Sequence, residues 1–248
     1  MKKVVVFLCL FLCVVGVYFY VSEEERSDAI FVVGTNAEYP PFSFFDKDEI
    51  VGFDIDIIKA VGRRLNKSVE IRDMPFDSLI PSVLLGNVHI VAAGMTATPE
   101  REQRVFFTKP YVACDPLMII SLSTGKTIGD LRGKTVVVNE GYTADLYMTR
   151  VQGLQLLRLG NPADGFLALK SGRADAFVTS RATAMSFFDS SEALNFVALP
   201  IEEPGAFDSY SFVVSRHYPE LLSEIQHVLD DMQQDGELDA LKKKWKMS

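Results

Sequence analysis

From Ile30 onward the chain alternates between two hydrophobic rhythms. Short β-rich runs, IFVVGTN, VEIRDM and VHIVAAG, read as strands. Between them, FDIDIIKAVGRRL places Phe53, Ile57, Ile58, Val61 and Leu65 on one helical face, with Asp54 as its N-cap. FDSLIPSVLLGN reads as a second helix, capped by Asp77, with Pro81 in its first turn and Gly86 just beyond its end. Such a β-α-β-α-β series predicts a mainly parallel sheet with helices on both faces. The pattern restarts near Gly133: KTVVVNEG, LQLLRL, ADAFVTS and NFVALP as strands, YTADLYMTRV, NPADGFLALKSG and RATAMSFFD as helices. The two halves share an element order but no sequence, so they are not read as a repeat.

LMIISLSTGK leaves the first series, and SYSFVVSR follows the second, ahead of two closing helices, YPELLSEIQHVLDDMQQ and GELDALKKKW. A late strand with helices after a complete second unit implies that the chain returns to where it began. The expected fold class is α/β, two lobes joined by a two-stranded hinge. Residues 30–119 with 209–248 form lobe 1, and 120–208 form lobe 2.

The N-terminus follows another rhythm. Lys2 and Lys3 precede an uncharged apolar run from Val4 to Val21, and the acidic SEEERSD follows. This is the pattern of an export signal. A run of about 18 residues also spans close to 30 Å of hydrocarbon, so residues 1–22 read as a signal peptide or an uncleaved anchor, and 23–29 as a linker. Lysines before the run and acids after it place the remainder outside the cytoplasm. Neither Cys9 nor Cys13 follows small residues, so lipid attachment is not expected. Cys114 is left without an intramolecular disulfide partner and is expected to be a small buried hydrophobe.

Charge and chemistry prune the function classes. Lys and Arg number 25 against 33 Asp and Glu, and no basic stripe marks a nucleic-acid footprint. In open α/β sheets ligands bind beyond the carboxyl ends of strands. Those ends here are GTNAEYPPF, MPFD, AAGMTATPER, NEGYTAD, LGNP and VTSRAT, and none contains histidine. His89, His217 and His227 are far apart, without metal-ligand spacing. There is no G-x-S-x-G, and each GKT has isoleucine where a phosphate-binding loop needs its first glycine. No catalytic residue, metal or cofactor is expected.

What remains is recognition. Thr98-Pro99 reads as a helix start, which puts Arg101 in the first turn, where a cation opposes the helix dipole at a cost of roughly 0.3–1 kcal/mol. Free N–H groups at a helix start beside a guanidinium hold a carboxylate in a bidentate way. Thr96 adds a hydroxyl, and Tyr39 and Phe76 supply aromatic walls; Phe42 reads as core and Thr143 as a helix N-cap residue.

GTNAEYPPFSF, VGFDIDIIKAVGRRLN and FDSLIPSVLLGNVHIVAAGMTATPEREQRVFFTKPY, continuing through LRGKTVVVNEGYTADLY, LKSGRADAFVTS and DGELDALKKKW, closely resemble bacterial solute-binding proteins of polar amino-acid ABC transporters. That family includes the lysine/arginine/ornithine-, histidine- and glutamine-binding proteins. The resemblance implies a periplasmic-binding-protein-like fold whose lobes close on an amino acid or related small carboxylate. It also implies a monomer in the periplasm or tethered to the membrane, and delivery to an ABC permease. It assigns Tyr39 and Phe76 as walls, Arg101 as the carboxylate holder, Ala93, Gly94 and Thr96 as the loop ahead of it, Thr143 as a backbone contact and Asn36 as the residue beside the ligand side chain. The family's acid for the ligand ammonium falls on Ser180, and Asp208 or Glu140 is the expected replacement. Asn36 and Asn139 weakly favour a polar, uncharged side chain. An alternative on the same fold is a cyclohexadienyl dehydratase, which needs an acid.

Overall fold

The computed structural model describes residues 30–122, 124–188 and 196–247. The export-signal and linker readings lie outside them. Lobe 1 opens with β1 (Ile30–Thr35), then a small antiparallel sheet of β2 (Glu38–Tyr39), β3 (Ser43–Asp46) and β4 (Glu49–Val51). Helix α1 (Phe53–Arg64), β5 (Ser68–Asp73), α2 (Phe76–Leu84), β6 (Ile90–Thr96) and the short α3 (Pro99–Glu102) follow. β1 lies parallel between β5, paired from Ile30↔Ser68 to Thr35↔Asp73, and β6, paired at Val33↔Ile90. The expected series is present, and the predicted face of α1 packs inward: Phe53, Ile57, Ile58 and Val61 are fully buried. Each such side chain contributes roughly 1.5–3 kcal/mol of burial free energy.

Two predicted caps are corrected. Gly52 takes the N-cap of α1, and Asp54 is a buried first-turn residue; Pro75 precedes α2, and Asp77 lies in its first turn. Proline at 75 presets an extended entry, so α2 starts without a side-chain cap.

After the two-residue β7 (Phe106–Phe107), β8 (Val112–Leu122) crosses into lobe 2. There β9 (Thr135–Asn139), α4 (Thr143–Met148), β10 (Gln155–Leu159), α5 (Pro162–Lys170), β11 (Ala176–Ser180), α6 (Arg181–Phe188) and β12 (Phe196–Pro200) form the second unit. β9 is parallel to β10 and β11. β13 (Phe207–Val214) returns to lobe 1 along β6, and α7 (Pro219–Gln234) and α8 (Glu237–Lys244) pack beside α1.

β8 and β13 form the hinge. The second half of β8 pairs antiparallel with β11 and β12, from Ser180↔Leu117 onward; its first half pairs with β13 at Pro116↔Phe207, Asp115↔Asp208 and Val112↔Tyr210. β8 begins five residues before the predicted Leu117, because the polar VACDP is held by its partner strand rather than by apolar packing. Cys114 is corrected as well: it is exposed on this strand, with a positive φ of 60°. Separate apolar clusters fill the lobes, but Tyr142 of lobe 2 belongs to the lobe 1 cluster that also holds Phe31, Tyr39, Phe53 and Leu238. The lobes therefore meet in a packed seam.

Candidate functional site

β6 runs buried into the seam, and its last residue, Thr96, organises the lobe 1 face. The Thr98 side chain accepts from the Arg101 N–H at 3.3 Å, which fixes the predicted helix start. The guanidinium of Arg101 then folds back over this turn. Its Nη1 donates to the Thr96 carbonyl at 2.7 Å and its Nη2 to the Gly141 carbonyl of lobe 2 at 2.8 Å. Its Cζ lies 5.5 Å from the centre of the Phe76 ring. Burial lowers its pKa from the usual value, and the negative charge of Asp208 opposes that shift.

Asp208 lies on the other side of the same threonine. Thr96 Oγ1 donates to Asp208 Oδ1 at 2.6 Å and accepts from the Ser209 N–H at 3.1 Å. Burial pushes the Asp208 carboxyl up to about 6; the Thr143 and Thr96 hydroxyls pull it down, Asp115 across the hinge raises it, and Arg101 lowers it. Asp115 accepts from the Tyr210 hydroxyl at 2.7 Å and from the Ala182 N–H at 3.2 Å, so one buried acid ties the hinge to α6. Its pKa is also raised, mainly by burial.

The remaining predicted residues divide into those facing the seam and those buried within β6. Asn36 follows β1, sends its amide to the Met74 carbonyl at 3.4 Å, and accepts from the Tyr142 hydroxyl at 3.0 Å. Tyr39 stacks on Phe42 at 4.9 Å, and its hydroxyl lies 3.3 Å from Ser180 Oγ. Ser180 ends β11 and contacts Thr183 Oγ1 at 3.1 Å. Phe76 begins α2, and Thr143 begins α4. Tyr142, not Thr143, holds the N-cap position of α4.

Ala93 and Gly94 are buried within β6. Ala93 packs in the core cluster with Leu79 and Val83 beneath α2. Gly94 has φ +56°, and its N–H donates to Asp54 Oδ2 at 2.6 Å. A Cβ there would meet Tyr39 Cε1 at 2.7 Å, so glycine is needed both for the backbone and for the ring. Asp54 also accepts from the Tyr111 hydroxyl at 2.8 Å, while its Oδ1 has no partner. Burial pushes Asp54 up to about 7.

Among the described residues, cavities open along the seam, three of them beside these groups. One of 470 Å³ is lined by Phe76, Met95, Thr98, Arg101, Gly141 and Leu146. A second, of 330 Å³, runs from Thr96 and Thr143 to Tyr147 and Phe207. A third, also 330 Å³, is lined by Asn36, Met74, Phe76 and the exposed Glu140. No group of three or more His, Cys, Asp or Glu among the described residues is arranged to hold a metal. Chemically, the seam offers a cation and an acid on either side of one threonine, and an aromatic wall beside them. Two contributors escaped the sequence reading. Asp115 is hidden in the polar stretch before Leu117. Tyr142 stands in the strand-end segment NEGYTAD, but nothing in one dimension shows that its ring reaches the opposite lobe.

Residues 31–248 match the family model described as bacterial extracellular solute-binding proteins, family 3. The chain is 31% identical over 228 residues to the arginine-binding extracellular protein ArtP of Bacillus subtilis (strain 168), spanning 90% of this chain and 89% of the relative. Its structure superposes on an ancestral arginine-binding protein bound to arginine, with TM-score 0.81 and 34% identity over 88% of this chain and 98% of that one. It likewise matches the ancestral amino acid-binding protein AncCDT-1, a precursor of cyclohexadienyl dehydratase, with TM-score 0.80 and 31% identity over 90% of this chain and 97% of that one.

Proposed function

The chain belongs to family 3 of the bacterial extracellular solute-binding proteins, and from that premise we propose that it is the substrate-binding component of an amino-acid ABC importer. Membership in an extracellular family puts the folded lobes in the periplasm or otherwise outside the cytoplasm. The observation that carries the reading is the pair of ionisable groups bridged by Thr96: the half-buried Arg101 on its carbonyl and the buried Asp208 on its hydroxyl. A zwitterionic α-amino acid presents the complementary pair. Arg101 takes its carboxylate, Asp208 its ammonium, and Thr96 and Thr143 add polar contacts. Asp208 is preferred over Glu140 because it is buried within reach of Thr96, whereas Glu140 is exposed. Ser180 and Tyr39 close the far side, and Asn36 and Phe76 face the ligand side chain.

We take the lobes as 30–119 with 209–248, and 120–208; the change of β8 partners at Leu117 supports that division. Ligand would bind the open form and favour the closed one through contacts from both lobes. The closed monomer would dock the permease, with residues 1–22 serving as export signal or retained anchor. A cyclohexadienyl dehydratase is the second reading, favoured by the likeness to AncCDT-1 and by a cleft acid, Asp208, whose carboxyl burial pushes up to about 6.

A thermal-shift screen of amino acids tests the proposal. A ligand at 100 times its Kd adds about 2.7 kcal/mol, which raises Tm by roughly 5–10 °C for a protein of this size. No shift with any amino acid would overturn the importer reading, and formation of an aromatic product from prephenate or arogenate would favour the enzyme instead.

A further inference from the structure

Tyr142 lies against both aromatic residues, Tyr39 and Phe76, that the amino-acid reading places around the ligand. It comes from lobe 2, yet it touches the aromatic walls of lobe 1: its ring is 5.1 Å from Tyr39 in a T-shaped contact and 4.4 Å from Phe76 in a tilted one. Its hydroxyl donates to Asn36 Oδ1 at 3.0 Å. The residue is 7% exposed, so ring and hydroxyl are both sequestered. In the amino-acid reading Arg101, Thr96 and Asp208 hold the carboxylate and ammonium, and the side chain leads away from them between Tyr39 and Phe76. Tyr142 packs on both of these rings and reaches Asn36.

We propose that Tyr142 is a specificity-determining residue: by filling the slot between Tyr39 and Phe76 and bonding to Asn36, it restricts the site to α-amino acids with short, uncharged side chains. This rests on the amino-acid reading above. The physical reason is competition for one volume. A long side chain entering the slot must expel a buried phenol, break its contacts with two rings and leave the Asn36 carbonyl oxygen without its donor. A hydrogen or a one-carbon side chain needs none of that and leaves the seam closed around the ring.

The test is calorimetric titration of glycine, alanine, serine, glutamine and arginine into the wild type, Tyr142→Ser and Tyr142→Phe, with the melting temperature of each free protein as the control for folding. The wild type is expected to bind at least one of the three short amino acids at least tenfold more tightly than glutamine or arginine. Tyr142→Ser, which empties the slot, should strengthen glutamine or arginine binding at least tenfold relative to the short ligands. Tyr142→Phe keeps the ring without its hydroxyl and should retain the wild-type order. Wild-type protein that binds arginine or glutamine as tightly as the short ligands overturns the inference while leaving the amino-acid reading standing. So does a folded Tyr142→Ser variant with an unchanged order. Binding of none of the five by any of the three proteins defeats the amino-acid reading, and this inference with it.

Discussion

The two faces of the seam are built on different principles. Lobe 1 and the hinge bring charge: Arg101 on the Thr96 carbonyl, and Asp208 of the hinge strand β13 on the Thr96 hydroxyl. Around this pair lobe 2 adds neutral groups: the Gly141 carbonyl, the Tyr142 ring, and the hydroxyls of Thr143 and Ser180. With Thr96 arranging both charges from lobe 1 and the hinge, the pair does not need the rest of lobe 2 to assemble. Recognition of a zwitterion can therefore begin in the open form, and closure adds shape, hydrogen bonds and exclusion of water.

The sharpest way to break this comparison is to remove the cation. Arg101→Gln should weaken amino-acid binding by about 3 kcal/mol, on the order of a hundredfold, as measured by calorimetry, because the ligand carboxylate loses its buried partner. Retained affinity would move the carboxylate site elsewhere.

A smaller loss is expected at the acid. Asp208→Asn should cost roughly tenfold in affinity at pH 7.5. The pH profile is the sharper readout. With its carboxyl raised to about 6, Asp208 is ionised above that pH and protonated below it. Wild-type affinity should therefore fall about tenfold between pH 7 and pH 5, while the asparagine variant stays flat over that range. A sloping profile in the variant would assign the titration to another group.

The smallest effect on binding, less than twofold, is expected at Asp54, which lies behind the seam. Its folded pKa of about 7 exceeds the ordinary 3.8, so the stability linked to its proton is fully present below about pH 4 and lost as pH rises through 7. The shift corresponds to on the order of 4 kcal/mol at most. Asp54→Asn, neutral at every pH, should gain stability relative to the wild type as pH rises from 5 to 8, followed by chemical denaturation. A gap independent of pH would mean that Asp54 titrates normally.

The alternating strands and helices of both lobes were legible because each carries a clear apolar period. α1 shows it best, with its four fully buried positions on the predicted stripe. The short β2–β4 sheet was not foreseen, since EYPPFSFFDKDE has no sustained alternation and its turns do the organising. Asp54 was misread for a related reason: an acid in the first turn of a helix looks like a cap whether it points at its own backbone or, as here, at Gly94 and Tyr111 of other segments. At the site, Arg101 stood out locally because it sits on the unfavourable end of a helix. Asp208 was named by elimination, and its bond to Thr96 spans 112 residues, beyond the reach of any local pattern. Ala93, although it belongs to the strand that ends at Thr96, packs in the core because strand residues alternate sides.

The path of the chain has a mechanical consequence. Phe31 near the start of the described chain and Leu238 near its end share one apolar cluster in lobe 1, while lobe 2 is reached and left only through β8 and β13. Tension applied through residues on either side of the folded body would run through lobe 1 alone. Lobe 2 hangs off that load path like a loop of rope above a knot, shielded from force until the knot itself gives way.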